Sequence, residues 1–245
     1  MTKRRILKLT GSDTTDFLQG LVTNDVTKVA DGLVYAAMLT PQGKYIADFF
    51  LARTEGGILL DVADSHADML TTRLNMYKLR ADVTIEDSGL HMHRGTGDTP
   101  DGAQPDPRAP EFGWRAYRGT PQTEDTTDWA ALRVTHEIPE TGVELTPDSF
   151  ILEMGFERLS GVDFKKGCYV GQEVTARTKH KTELRKGLAR VALHGDAEPG
   201  SEITSGGKTA GTLHTVAGKE ALAYLRFDRA KDQMQAGNAT LERIA

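Results

Sequence analysis

The sequence holds a single cysteine, Cys168, among 245 residues. One thiol forms no intramolecular disulfide, so a disulfide-stapled secreted scaffold is excluded. Nor does it hold a structural zinc or an iron–sulfur cluster by itself, since each takes about four ligands. No resident metal is therefore expected. Long hydrophobic runs are missing as well. No stretch approaches the ~20 apolar residues of a transmembrane helix, and the first residues lack the apolar core of a secretory signal. A cytoplasmic chain without membrane contact is the expectation. Positive charge is not in excess, with 30 Lys+Arg against 35 Asp+Glu and a net charge of −5. That balance argues against general nucleic-acid binding.

What is present is ordinary for a globular protein: 38% hydrophobic and 27% charged residues, enough chain for one or two domains. Residues 6–9 read as a strand, followed by a helix capped by Ser12 or Asp13 with Phe17, Leu18, Leu21 and Val22 on one face. Residues 33–39 and 45–51 form a hairpin across the turn signal at 40–43. A strand over 58–62 follows, then a helix capped by Asp64 with Ala67, Leu70, Leu74 and Tyr77 apolar, then a strand over 83–85. Residues 95–111 carry three Gly and four of the nine Pro, and read as an exposed hinge between halves. Helices are expected near 128–136 and over 146–159, the second capped by Thr146. From about 185, short strands separated by glycine turns predict a small β-barrel. The expected domains are 1–94, 112–184 and 185–245, in an α+β class.

The richest chemistry lies in residues 164–177. Gly167 and Gly171 bracket Cys168 and permit a tight turn. Lys165, Lys166 and Arg177 favour a thiolate wherever they sit near the sulfur. Residues 165–186 hold seven Lys/Arg against two Glu, a local +5 that leaves −10 for the rest. A basic island on an acidic chain points to a local anionic partner. Carboxylates of the first half are Asp25, beside Asn24 after the first helix, and Asp48 inside an apolar strand. Alternation puts Asp48 on a solvent face. The other reading sets it and Glu153 near an inner face, where carboxylates accept paired N–H donors. Weaker signals do not hold. Residues 206–209 lack the first glycine and the helix of a phosphate loop. His91 and His93 share a strand face without an evident third ligand. A Cys168–His180 pair has no spacing to establish it.

Together these residues resemble a known family. Residues 166–173, Lys-Gly-Cys-Tyr-Val-Gly-Gln-Glu, are similar to the signature of the YgfZ/IBA57 proteins, the folate-dependent iron–sulfur assembly branch of the aminomethyltransferase superfamily. Residues 17–20 with 23–26, 39–43 with 47–49, 77–80 with 82–83, and 221–226 resemble further blocks. The resemblance implies a ring of α+β subdomains with a C-terminal barrel. It also implies a site for tetrahydrofolate or a polyglutamylated folate derivative, and work with iron–sulfur assembly factors or client enzymes. Cys168 is then the functional thiol, with Lys166, Gly167, Tyr169, Gly171, Gln172, Glu173 and Arg177 as its motif. Asp48, Glu153, Asn24 and Asp25 are the candidate folate contacts. An aminomethyl or one-carbon transferase of the glycine-cleavage type is the alternative. Ala47-Asp48 stands where such enzymes carry an Asp pair, which counts against it. A second departure is Glu137, where the family pattern has glycine before Ile138-Pro139.

Overall fold

The structure is a computed structural model that describes residues 3–180, 183–230 and 233–244. The chain folds as two compact units whose segments alternate along it. One runs to Thr127 and adds Phe156–Val174; the other takes Asp128–Gly155 and everything from Thr175. This interleaving differs from the three successive blocks expected from the sequence.

The first unit is built on a five-stranded antiparallel sheet. It contains β1 (Arg4–Thr10), β2 (Val34–Leu39), β3 (Tyr45–Thr54), β4 (Gly57–Ala63) and β5 (Thr84–Asp87), in the order β2-β3-β4-β1-β5. The expected hairpin is present, with Tyr35 opposite Phe50 and Ala37 opposite Asp48. One face of this sheet packs Ala36, Ala47, Phe49, Leu51 and Leu60 against α1 (Thr14–Gln19) and α2 (Asp64–Lys78). Each of the larger side chains, Phe49, Leu51 and Leu60, contributes about 1.5–3 kcal/mol on burial. The opposite face is covered too. Ile6, Leu33, Ala52 and Leu59 pack there with Met92 and Tyr117. Those two come from a small sheet of β6 (His91–Gly95), β7 (Gln104–Pro105) and β8 (Trp114–Arg118), in the order β6-β8-β7.

That second layer corrects the hinge reading of residues 95–111. They lie inside the first unit, and Asp106 within them is buried in ion pairs with Arg108 and Arg115. The glycines and prolines shape turns around that buried pair. The helix caps differ as well. Asp64 is the first helical residue and binds the Arg5 guanidinium, while Asp13 stands at the N-cap of α1 but turns its carboxylate to the Asp82 N–H rather than to a helix N–H.

The second unit begins with α3 (Trp129–Thr135), capped by Asp128, whose carboxylate accepts the Ala131 N–H at 2.9 Å. No helix forms over 146–159. Those residues run as successive turns, because Gly155 sits at φ +78° and a helix does not pass through that conformation. After α4 (Gln172–Lys179), which bridges the units in sequence, come β9 (Lys186–His194), β10 (Glu202–Ser205), β11 (Lys208–Ala217), β12 (Glu220–Arg226), β13 (Met234–Ala236) and β14 (Ala239–Arg243). They close a six-stranded barrel, β10-β11-β12-β9-β14-β13. Its interior is small-residue rich, with Ala189, Ala210, Ala221, Ala223, Ala236 and Ala239 buried beside Val191 and Leu213. Closure of a narrow barrel needs such residues and leaves no open sheet edge. Residues 206–207, the rejected phosphate loop, form the tight turn between β10 and β11, with φ of +55° and +74°.

Candidate functional site

The motif loop is anchored at both ends while its thiol is not covered. Cys168 is exposed. Lys166, by contrast, is buried, and its ammonium donates to the carbonyls of Gln19 at 2.7 Å and Val22 at 2.6 Å. Burial lowers its pKa to about 8, against the opposing pull of Asp25 and Asp163. Lys166 therefore grips the first helix and the turn after it; it is not aimed outward as the tuning charge expected beside the thiol. Tyr169 is buried, with its ring 5.1 Å from that ammonium. Gly171 has φ +85°, and a Cβ there would stand 2.6 Å from the Thr40 carbonyl oxygen. Gly167 has open space around it and no positive φ, so it has no comparable steric role. Asp163 completes the anchor. It accepts the Lys165 N–H at 2.6 Å and pairs with Lys28 at 2.7 Å, which holds its carboxyl below the usual range.

The remaining motif residues follow this loop directly. Gln172 opens α4, where its N–H donates to the Tyr169 carbonyl at 3.2 Å, and Glu173 lies in the first turn. Arg177 is exposed in the last turn. Of the basic island, Lys165, Arg177 and Lys179 are exposed, Lys166 is turned inward, and Lys181 lies outside the described residues.

Asp48 is not on a solvent face. It is 4% exposed, beneath the second layer. Its Oδ2 accepts from the Tyr35 hydroxyl at 3.0 Å and its Oδ1 from the Tyr45 hydroxyl at 2.7 Å. Burial, then the Asp48 charge, raises the Tyr35 pKa well above its ordinary value, so this phenol stays a donor. On the same layer lies an ionic network that sequence reasoning missed. Asp61 binds Arg4 at 2.6 Å and Arg115 at 3.1 Å; Asp106 binds Arg115 at 3.0 Å and Arg108 at 2.8 Å. Desolvation alone would raise the Asp106 pKa, yet the two guanidiniums hold it far below the carboxylate range. Arg115 and Arg108 lie over the Phe50 ring at 3.8 and 4.8 Å. The available signal was weak: Asp61 and Arg115 each break an apolar strand, as Asp48 does.

The other candidates have defined local roles. Asn24 donates both amide hydrogens, to the Tyr35 and Ser160 carbonyls, and accepts the Asp25 N–H. It thereby ties the segment leading into the motif loop to the strand that carries Tyr35. Asp25 caps a 3-10 turn through the Thr27 N–H and accepts from Gln19. Glu153 belongs to the second unit, where it accepts the Tyr224 hydroxyl at 2.5 Å. His93 binds the Thr120 carbonyl at 2.6 Å. Among the described residues, no group of three or more His, Cys, Asp or Glu is placed to hold a metal ion.

With this geometry the fold can be classed. The chain is similar to the crystal structure of glycine cleavage system aminomethyltransferase T from Bartonella henselae. The TM-score is 0.78 at 10% identity, covering 98% of this chain and 82% of the other. The family model for the CAF17 C-terminal β-barrel domain matches residues 185–244. The fold is thus an α+β aminomethyltransferase-type fold with a terminal six-stranded barrel. Sequence relatives then narrow the class. The mitochondrial iron–sulfur cluster assembly factor IBA57 of Mus musculus is 30% identical over 99% of this chain and 81% of its own length. An IBA57 homologue of Mycosarcoma maydis is 31% identical over 78% of this chain but 56% of its own, so the chain spans little more than half of that relative. The chain belongs to the IBA57 family. These relatives are named mitochondrial proteins, which overturns the cytoplasmic expectation.

Proposed function

We propose that this chain serves iron–sulfur cluster assembly, the role its relatives are named for. It would use the Cys168 thiol on a cluster passing to a client and bind a reduced folate at Asp48. The observation that carries this reading is the contrast inside one loop. Lys166, Tyr169 and Gly171 are held inward, and Cys168 between them is exposed. A thiol on a docked loop suits transient ligation, with one ligand from this chain and the others from the assembly factor or client. A cluster is then cargo, in keeping with a single cysteine.

The donor set around Asp48 fits a reduced pterin in its chemistry. A carboxylate oriented by two phenols receives paired N–H groups. Asn24 has no amide hydrogen left for a ligand. Lys165, an exposed cation of the basic island within the first unit, suits a carboxylate of folate's glutamate tail. When bound, the folate supplies one-carbon and reducing chemistry; the chain supplies orientation.

Titrating the purified protein with tetrahydrofolate tests one half. Saturable binding is expected, at least tenfold weaker in Asp48→Asn; a folded sample that does not bind removes folate from the reading. The other half is tested by Cys168→Ala, which should fold and melt as the parent does yet fail to restore iron–sulfur enzyme activities in cells lacking the protein. Full restoration removes the thiol.

A further inference from the structure

Three non-glycine residues among those described have positive φ: Leu79 at +44°, Glu137 at +49° and Ser160 at +54°. Two are tied down. The Glu137 carboxylate accepts the Arg190 N–H at 3.0 Å, and the Ser160 carbonyl accepts from Asn24 at 2.7 Å. Leu79 is different, being 89% exposed. Its φ of 44° and ψ of −102° lie at the end of α2, and the Ala81 N–H donates to the Lys78 carbonyl at 2.8 Å. Residues 78–81 therefore form a type II′ turn with Leu79 at the first central position, where glycine is the ordinary residue. A branched apolar side chain strains that position and gains almost no burial within the chain.

Its neighbours share the exposure. Four of the seven exposed large hydrophobics among the described residues are Met69, Met76, Tyr77 and Leu79. Met69 and Met76 are seven apart and lie on one face of α2, leading to the turn. Arg73, Lys78 and Arg80 stand among them, while the nearby carboxylates are engaged: Asp68 with Arg5, and Asp82 with Ser12. The tip is both apolar and cationic.

We infer that the turn closing α2, with Leu79 and Met76 between Arg73, Lys78 and Arg80, docks into a protein partner that offers an apolar pocket rimmed by carboxylates. A rigid single knob with cations around it matches a pocket of that kind. A bilayer would need a continuous apolar face, and Arg73 interrupts this one. The inference depends on neither the thiol nor the folate.

A photoreactive benzoylphenylalanine at position 76 of the full chain, irradiated in its own cells, identifies the contact; the crosslinked protein is then purified and titrated against parent, Leu79→Gly and Arg80→Glu. Expected are an affinity lowered at least tenfold by Leu79→Gly, a loss with Arg80→Glu, and weaker binding at high salt. Leu79→Gly should melt at or above the parent, since glycine relieves the turn. Equal affinity for Leu79→Gly overturns the docking role, as do crosslinks only to lipid with binding to phosphatidylglycerol vesicles, crosslinks only to a second copy of this chain, or no crosslink. A lower melting temperature for Leu79→Gly overturns the strain on which it stands.

Discussion

The Lys166 ammonium donates to the carbonyl oxygen of Val22 at 2.6 Å, from inside the loop that exposes Cys168. With the Gln19 carbonyl at 2.7 Å, this makes one side chain the clasp between the motif and the end of α1. Positioning of the thiol thus begins with a buried cation two residues before it, not with a charge beside it.

Lys166→Met removes the clasp and leaves two carbonyls without its ammonium. The expected loss is about 1–3 kcal/mol in urea unfolding. The pH dependence has a definite sign. The folded pKa of about 8 lies below the unfolded value of roughly 10.4, so the unfolded chain holds more protons between them. Parent stability should therefore gain on that of Lys166→Met as pH rises from about 8 to 10.4. A constant gap across that window would count against the buried-ammonium account.

The two motif glycines should separate sharply. Gly171→Ala meets both a φ of +85° and a Cβ 2.6 Å from the Thr40 oxygen. It should cost about 1–3 kcal/mol for backbone strain, and more for the clash. Gly167→Ala enters open space and should stay within about 0.5 kcal/mol of the parent. Thermal melts of the pair decide it; equal losses would show that the loop is not pinned at Gly171.

How much of this was legible beforehand follows from what each pattern encodes. Alternation and turn residues locate β1 to β4, and glycine spacing locates the barrel, because these are local properties. Alternation also tells which face Asp48 takes. It does not tell that a second sheet covers that face, since β6 to β8 come from a segment whose Pro and Gly content reads as loop. The ionic network among Asp61, Asp106 and Arg115 was hidden for the same reason. Residues 146–159 read as a helix because apolar spacing carries no record of the positive φ at Gly155. Position 137 shows the converse: the glycine expected there corresponds to a positive φ, and Glu137 occupies it with a carboxylate bonded to the Arg190 N–H.

Arg115 is the cation shared by Asp61 and Asp106, all three being buried. Arg115→Met should cost about 3–5 kcal/mol, because it strips charge from a buried network instead of replacing the whole of it. Asp106 is held well below the usual carboxylate range, so its stabilisation is present above about pH 4 and fades as pH falls further. Without Arg115 the Asp106 pKa should rise and the acid-induced loss below pH 4 should become shallower. An unchanged acid limb in the variant would assign the parent's acid sensitivity to other carboxylates.

Tyr35 and Tyr45 address different oxygens of Asp48, so their removal distinguishes a structural carboxylate from a binding one. Each Tyr→Phe change should cost about 1 kcal/mol of stability for a lost hydrogen bond. If Asp48 only ties its own sheet together through the two phenols, folate binding should be indifferent to Tyr45→Phe once the protein is folded. If Asp48 receives the pterin, removing the 2.7 Å phenol takes away one of the groups that orient its carboxylate, and tetrahydrofolate affinity should fall several-fold while the melting temperature moves by only a few degrees. Calorimetric titration of Tyr45→Phe beside the parent separates the two cases, and an affinity equal to the parent's would leave Asp48 a structural residue.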